Sequence, residues 1–387
     1  MKTLLVSEIF PPQHGGSGRW FWEVYTRLSN SDTAFAVGKP AGYEKFDESH
    51  SLNIARIDLS STSWGVTDKT GILFYIRTYL KLCSIVKSEK VEQIHCGRCI
   101  PEGFIASLIN LTHGIPYIAY VHGEDVETAA LSRELKWIAQ RALNKAALLI
   151  CNSKNTANIL LQKWNIPENK IKVIYPGVDT GRFIPASNAE AAANRPHSWN
   201  NRQVILTVGR LQKRKGHDKM IAALVEIKKC FPDVLYVIIG NGEEKAFLES
   251  EVKRLDLHNN VSFLNEISDT EMVACYQHCD LFILPNRSVG SDIEGFGMVL
   301  VEAQACAKPV IAGDSGGTAE TMIQDETGFI IDCTDESIIS KKIITLLSNP
   351  EQLRSMGTSA YSHAHNKFSW EKIATDSQNI FNTINKR

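Results

Sequence analysis

The chain has 387 residues, more than a single hydrophobic core usually organises, so two domains are expected. With 43% hydrophobic and 22% charged residues and a net charge of -1, it reads as a globular protein. It has no basic surplus with which to hold nucleic acid, so anionic ligands must be met by local clusters of cations. The start, residues 1–7, has one charge and a short apolar run before Glu8 and Pro11-Pro12. A secretion signal needs a longer apolar core, and no stretch nears the ~18 apolar residues of a membrane span, so a cytoplasmic location is expected.

Strand-like apolar runs lie at 4–9, 117–121, 148–151 and 172–175, and a second set at 204–208, 234–239, 261–264, 281–284, 309–312 and 329–331. Continuous Val/Ile/Leu runs suit strands buried on both faces. Helical stretches such as 218–229, 243–255 and 298–306 alternate with them, which argues for parallel sheets with crossover helices. Residues 186–202 are polar, contain a proline and lack apolar periodicity, as a linker does. The expected architecture is α/β, two doubly wound domains facing across a cleft: 1–185, a linker at 186–202, and 203–367. The tail, 368–387, has helical spacing at Trp370, Ile373, Ile380, Phe381 and Ile384 and is expected to pack back on the first domain. The nine cysteines are scattered and odd in number. Cys96 and Cys99, after His95, have metal-pair spacing but no second pair beside them, so they read as plain thiols at a strand end and no metal site is expected.

In parallel sheets ligands sit beyond the carboxyl ends of strands, and several informative residues follow strands here. After the first run, Gly15-Gly16-Ser17-Gly18-Arg19-Trp20 lets backbone N–H groups approach an anion. Phe21 stands where a dinucleotide fingerprint needs a small residue, so this loop reads as a cap on a phosphate or sugar. After 204–208 come Arg210, Lys213, Arg214 and Lys215, a concentration of cations suited to a pyrophosphate. Gly240-Asn241-Gly242 is a tight turn fit for backbone contact with a base or ribose. The sharpest feature is Glu294-Gly295-Phe296-Gly297 running into the apolar stretch that holds Glu302. Its glycines free N–H groups at a helix start, where the dipole favours negative charge, and a carboxylate inside an apolar helix needs hydrogen-bond donors such as ribose hydroxyls.

Glu294 to Glu302 resembles the Glu–seven residues–Glu motif of retaining glycosyltransferase family 4, which has the GT-B fold. Gly15-Gly16, Val121-His122-Gly123-Glu124-Asp125, Asn152-Ser153, Pro176-Gly177-Val178-Asp179 with Phe183, Gly209-Arg210 with Lys215-Gly216, Gly240-Asn241-Gly242 and Pro309–Gly313 with Gly316-Gly317 fall in the family's order, over nearly the whole chain. The branch most resembled is the bacterial phosphatidylinositol mannosyltransferase-like one. The resemblance implies that Arg210 and Lys215 bind the donor pyrophosphate and that Glu294 contacts the transferred sugar. It implies that Glu302 holds the ribose, that the N–H groups of Gly295, Phe296 and Gly297 face sugar and phosphate, and that Gly16 caps the phosphate. His122 would sit near the reacting centre. His122, Glu124 and Asp125 would serve the acceptor; Gly18-Arg19-Trp20 departs from the family, where many members carry an aliphatic or small polar residue, and Arg19 is expected on the acceptor side. The implied reaction is metal-independent transfer of a hexose, with retention, from GDP-mannose or a UDP-hexose to a lipid-linked or saccharide acceptor, with no further cofactor.

An epimerase or phosphorylase on the same scaffold, or a non-catalytic sugar-nucleotide-binding protein, are the rival readings. Residues 69–87 combine Ile72, Leu73, Ile76, Leu80 and Val86 with Arg77, Lys81 and Lys87, an amphipathic pattern that fits peripheral membrane contact as well as packing on the protein's own sheet. Glu294→Ala is expected to leave folding intact and to remove most activity.

Overall fold

A computed structural model describes residues 2–13, 15–28, 33–186, 195–265 and 267–383. His14 of the first loop, residues 187–194 of the expected linker and Ile384 of the tail pattern lie outside the described residues. The chain forms two compact units, one of Met1–Pro176 with Trp370–Arg387 and one of Gly177–Ser369.

Unit 1 holds a parallel sheet of β1 (Thr3–Ser7), β2 (Thr33–Val37), β3 (Ile54–Arg56), β4 (Gln93–Cys96), β5 (Tyr117–Val121), β6 (Leu148–Cys151) and β7 (Ile171–Val173). The spatial order is β3-β2-β1-β4-β5-β6-β7. Strands β1, β5 and β6 are short Val/Ile/Leu-rich runs buried almost throughout, as a sheet covered on both faces requires. The crossover helices are α1 (Gly16–Tyr25), α2 (Tyr43–Asp47), α3 (Lys69–Ser88), α4 (Phe104–His113), α5 (Glu124–Ala130), α6 (Arg133–Lys145) and α7 (Lys154–Lys163). Local side chains fix several starts: Asp68 accepts from the Gly71 N–H at the head of α3, and Ser153 from the Thr156 N–H at the head of α7.

Unit 2 repeats the plan. Strands β8 (Val204–Val208), β9 (Leu235–Ile239), β10 (Val261–Leu264), β11 (Leu281–Leu284), β12 (Val310–Gly313) and β13 (Gly328–Ile331) lie in the order β10-β9-β8-β11-β12-β13. Around them are α8 (His217–Cys230), α9 (Lys245–Arg254), α10 (Asp269–His278), α11 (Met298–Ala305), α12 (Glu336–Leu347) and α13 (Pro350–Phe368). Ser268 and Glu271 close a reciprocal capping box on α10. In both units the strand order reverses beside the first strand, between β1 and β4 and between β8 and β11. Ligands of doubly wound sheets bind at such switch points.

The boundary falls earlier than composition places it. Residues 177–185 belong to unit 2 because Val178 donates its N–H to the Phe368 carbonyl at 2.7 Å and Phe183, fully buried, packs edge-on against Tyr276 at 5.5 Å. The last helix, α14 (Trp370–Phe381), is part of unit 1: Phe381 stacks on Tyr25 of α1 at 6.0 Å, and Arg27 holds Glu371 at 3.2 Å.

Buried polar groups tie the centre of unit 1. Tyr25 and His95 share a 2.5 Å hydrogen bond, and the Phe381 ring meets His95 at 4.5 Å. Burial drives the His95 imidazole down from 6.5 to about 3. The unfolded chain therefore binds a proton that the folded unit refuses. This contribution to stability is complete above about pH 6.5 and is lost as pH falls towards 3. At pH 5 the loss is about 2 kcal/mol. We expect His95→Gln to weaken the acid sensitivity of unit 1 by that amount, read as the difference in urea unfolding between pH 7 and pH 5. Parallel pH dependence in variant and wild type would refute the assignment.

Candidate active site

The Glu294 carboxylate is the hub of unit 2's switch point. After β8 the chain forms a short 3-10 turn, Lys213–Lys215, that turns Arg214 and Lys215 inward and leaves Lys213 exposed. Arg214 Nη1 donates to Glu294 Oε2 at 2.6 Å and Lys215 Nζ to the same oxygen at 2.5 Å, all three side chains being largely buried. Arg214 Nε also meets Asp292 at 3.1 Å. Burial alone would raise the Glu294 carboxyl, but Lys215 and Arg214 outweigh it and hold it below the usual range. Burial likewise pulls the Lys215 ammonium down, against the attraction of Glu294 and with help from Arg214. Arg210 is exposed and close enough to weigh on Lys215.

Close backbone crossings hold these loops. Gly216 has φ +71, and a Cβ there would meet the Pro285 carbonyl oxygen at 1.8 Å. The Arg287 N–H donates to the Arg214 carbonyl, joining the ends of β8 and β11. Gly316, at φ +71, leaves only 1.8 Å between an added Cβ and the Glu294 carbonyl oxygen, and the Gly317 N–H donates to that oxygen at 2.9 Å. Buried Asn286 bonds the Ser315 carbonyl and the Gly313 N–H. Behind the site His217 spans Tyr236 and the Arg210 carbonyl.

The expected glycines differ in what surrounds them. Gly297, at φ +93, opens α11 and, as a glycine, offers no side chain to cap the first N–H groups of that helix. The Phe296 ring points away, buried against Phe368, which leaves only its backbone for a ligand. At Gly240 an added Cβ would lie 2.0 Å from the Gly209 carbonyl oxygen, and at Gly242 2.4 Å from that of Leu211. These two glycines knit the β9 turn onto the loop after β8. Glu302, inside α11, accepts a hydrogen bond from the Tyr276 hydroxyl at 2.8 Å, so the protein itself supplies a donor that sequence reasoning assigned to ribose.

The other expected residues lie in unit 1. His122 follows β5. Its Nε2 donates to the Gly97 carbonyl at 2.8 Å. Trp20 and Phe21 meet the ring edge-on. Asp125 accepts the His122 N–H at 3.1 Å and faces the Cys99 thiol at 3.7 Å, so both of its oxygens are engaged in shaping this turn; Glu124 is exposed. Gly16, exposed, begins α1, and Arg19 lies 3.8 Å from Glu23. Cys96 and Cys99 are buried free thiols that burial pushes well up, and no cluster of His, Cys, Asp or Glu suited to a metal occurs among the described residues. Sequence reasoning gave Arg214 no role of its own, and Asn286, Asp292 and Ser315 entered only within the stretches 286–294 and 312–317 that resemble the family branch, with no site role assigned.

Comparison with known proteins agrees with this geometry. The family described as Glycosyltransferase Family 4 matches residues 13–182, and that described as Glycosyl transferases group 1 matches residues 188–363. A GDP-mannose-dependent alpha-(1-6)-phosphatidylinositol monomannoside mannosyltransferase of Mycolicibacterium smegmatis is 28% identical, over 95% of this chain and 94% of its own. An uncharacterized glycosyltransferase of Methanocaldococcus jannaschii is 29% identical over 99% of both chains. Among solved structures, Anabaena HepE in complex with UDP superposes with a TM-score of 0.82 at 20% identity, covering 99% of this chain and 100% of that one. Sucrose-phosphate synthase from Thermosynechococcus elongatus gives 0.81 at 20% identity, covering 99% of each. The two structural likenesses establish the GT-B fold, and the chain belongs to the glycosyltransferases of family 4.

Proposed function

We propose that this glycosyltransferase moves a mannosyl group from GDP-mannose to a hydroxyl of a lipid-linked acceptor, with retention at the anomeric carbon. The observation that carries the reading is the pairing of Arg214 and Lys215 with Glu294 at unit 2's switch point. A nucleoside diphosphate leaving group needs charge relief, and these cations, Arg210 and the uncapped start of α11 supply it in a preorganised form. As the bond from the anomeric carbon to the phosphate oxygen breaks, the acceptor oxygen attacks from the same face and its proton passes to the departing phosphate. Glu294 Oε2, holding two cations, fits an acceptor of sugar hydroxyl bonds better than a covalent nucleophile. GDP and mannose follow the Mycolicibacterium relative and a Corynebacterium glutamicum relative, 28% identical over 98% of this chain, both GDP-mannose-dependent mannosyltransferases.

A lipid-linked acceptor accords with α3. Its Ile72, Leu73, Ile76 and Leu80 are exposed at 41–61%, and between Lys69 and Ser88 it carries Lys69, Arg77, Lys81 and Lys87 with no acid. No described helix is long and apolar enough to cross a membrane. An anionic bilayer surface satisfies both the apolar and the cationic side chains of this face.

Three outcomes test the reading. GDP should be released from GDP-mannose only when an acceptor is present, which separates transfer from epimerisation and from plain binding; acceptor-independent release at the same rate would reject it. Glu294→Ala should lower kcat by about 100-fold or more. The ion pairs revise the expectation that folding stays intact. Removing the carboxylate leaves two buried cations unpaired, so stability should fall by about 3–5 kcal/mol in denaturant unfolding, and full turnover in this variant would refute the site. Vesicles containing phosphatidylglycerol should co-sediment the wild type, and binding should fall at least tenfold in Leu73→Ser/Ile76→Ser/Leu80→Ser; equal sedimentation of both proteins would remove the membrane role of α3.

A further inference from the structure

Unit 1 has a polar cluster at its own switch point that the donor chemistry leaves unused. Glu8 follows β1, and Gly97-Arg98 follow β4, the two strands between which the sheet order reverses. The Arg98 guanidinium donates to the Glu8 carboxylate and stacks over the Trp64 ring at 5.3 Å. Both members of the ion pair stay open to solvent, with side-chain exposures of 19% and 22%. Glu102, fully buried in the following turn, accepts the Glu8 N–H at 2.9 Å and lies 3.8 Å from Arg98 Nε, while its other oxygen has no partner. His122, whose Nε2 bonds the Gly97 carbonyl, stands one residue from Arg98 along this ridge. Trp20, 1% exposed, meets the His122 ring at 5.9 Å with its indole N–H unpartnered.

A pair that merely fastened two loops would not need to sit at the sheet's ligand-binding end with unpartnered buried polar atoms around it. The charge balance indicates the ligand. One guanidinium faces two carboxylates, so a phosphate here would meet net negative charge, whereas hydroxyls can donate to Glu8 and accept from Arg98. We infer that Glu8 and Arg98 recognise the acceptor directly, binding neighbouring hydroxyls of an uncharged sugar or cyclitol ring, with any phosphate of the acceptor held elsewhere. This rests on the glycosyl-transfer reading and adds which residues of unit 1 select the acceptor and what its reacting end presents.

Saturation-transfer NMR with methyl α-mannoside, methyl α-glucoside and myo-inositol tests the assignment without turnover. At least one should bind the wild type, should persist in excess inorganic phosphate, and should weaken about tenfold or more in both Glu8→Gln and Arg98→Lys. Circular dichroism and melting curves identify variants that fail to fold; the isosteric Glu8→Gln keeps the comparison usable if Arg98→Lys is unstable. Absence of binding in the wild type, equal binding in a folded variant, or displacement by phosphate would overturn the inference. GDP and UDP calorimetry on the same proteins reads the donor site separately. Nucleotide binding without ring binding defeats only the acceptor assignment, and loss of nucleotide binding in the wild type defeats the glycosyl-transfer reading itself.

Discussion

The Glu294 carboxylate, held by Arg214 and Lys215, is the constraint around which unit 2's functional end is built. Burying three charges is costly unless each finds a partner, and here one carboxylate oxygen satisfies both cations. The arrangement demands that three strand-end loops approach one another closely. Gly216 lies against Pro285, Gly313 against Asn286 and Gly316 against Glu294, each too close to the neighbouring carbonyl for a side chain. These glycines belong to the site's construction even where they face no ligand. A diphosphate bound here, as proposed, would meet cations already oriented and largely buried, so little reorganisation would remain for the reaction to supply.

The same topology carries opposite electrostatics in the two units. At unit 2's switch point Arg210, Arg214 and Lys215 outnumber Glu294 and Asp292, which suits an anion. At unit 1's, Glu8 and Glu102 outnumber Arg98, which suits hydroxyls. On the reading proposed above, a fold with two similar sheets would separate two binding tasks through the charges on the loops after the first and fourth strands. Neither choice changes the central strands, which are largely buried in both units. This division is why fold and function must be argued from different residues.

What the sequence made legible follows from how each feature is encoded. Strands β5, β6, β8, β10 and β11 are continuous apolar runs, and their bounds could be read directly. Strand β4, Gln93–Cys96, is central and buried but contains Gln and His, so its composition hides it; the His95 bond to Tyr25 is what makes it tolerable. Strand β3 is three residues long, below the length at which periodicity exists. In the site, four nearby cations marked a phosphate region, but only the 3-10 turn decides that Arg214 and Lys215 face inward while Lys213 does not. Glu302 shows the converse. Its cost in an apolar helix was visible, but its Tyr276 partner lies 26 residues away on another helix and no local pattern names it.

Helix α3 shows where amphipathicity as a sequence signal gives out. Gly71, Tyr75, Thr78, Leu82, Ile85 and Val86 form its buried face, so packing on the sheet is already satisfied without Ile72, Leu73, Ile76 and Leu80. The connections β3 to β4, β4 to β5 and β5 to β6 all advance in the same direction across the sheet, which puts α3, α4 and α6 on one face. Tyr75 meets Phe104 and Phe104 meets Trp137, joining the three helices. Of the eleven large hydrophobic side chains exposed among the described residues, six belong to this layer: the four of α3, Leu111 and Trp137. Single exposed leucines need no explanation, but a cluster in one helical layer, beside a helix with four cations and no acid, exceeds what the fold itself requires. Its surplus is in surface chemistry, apolar and cationic together, which is the feature that the proposed contact with an anionic bilayer is built on.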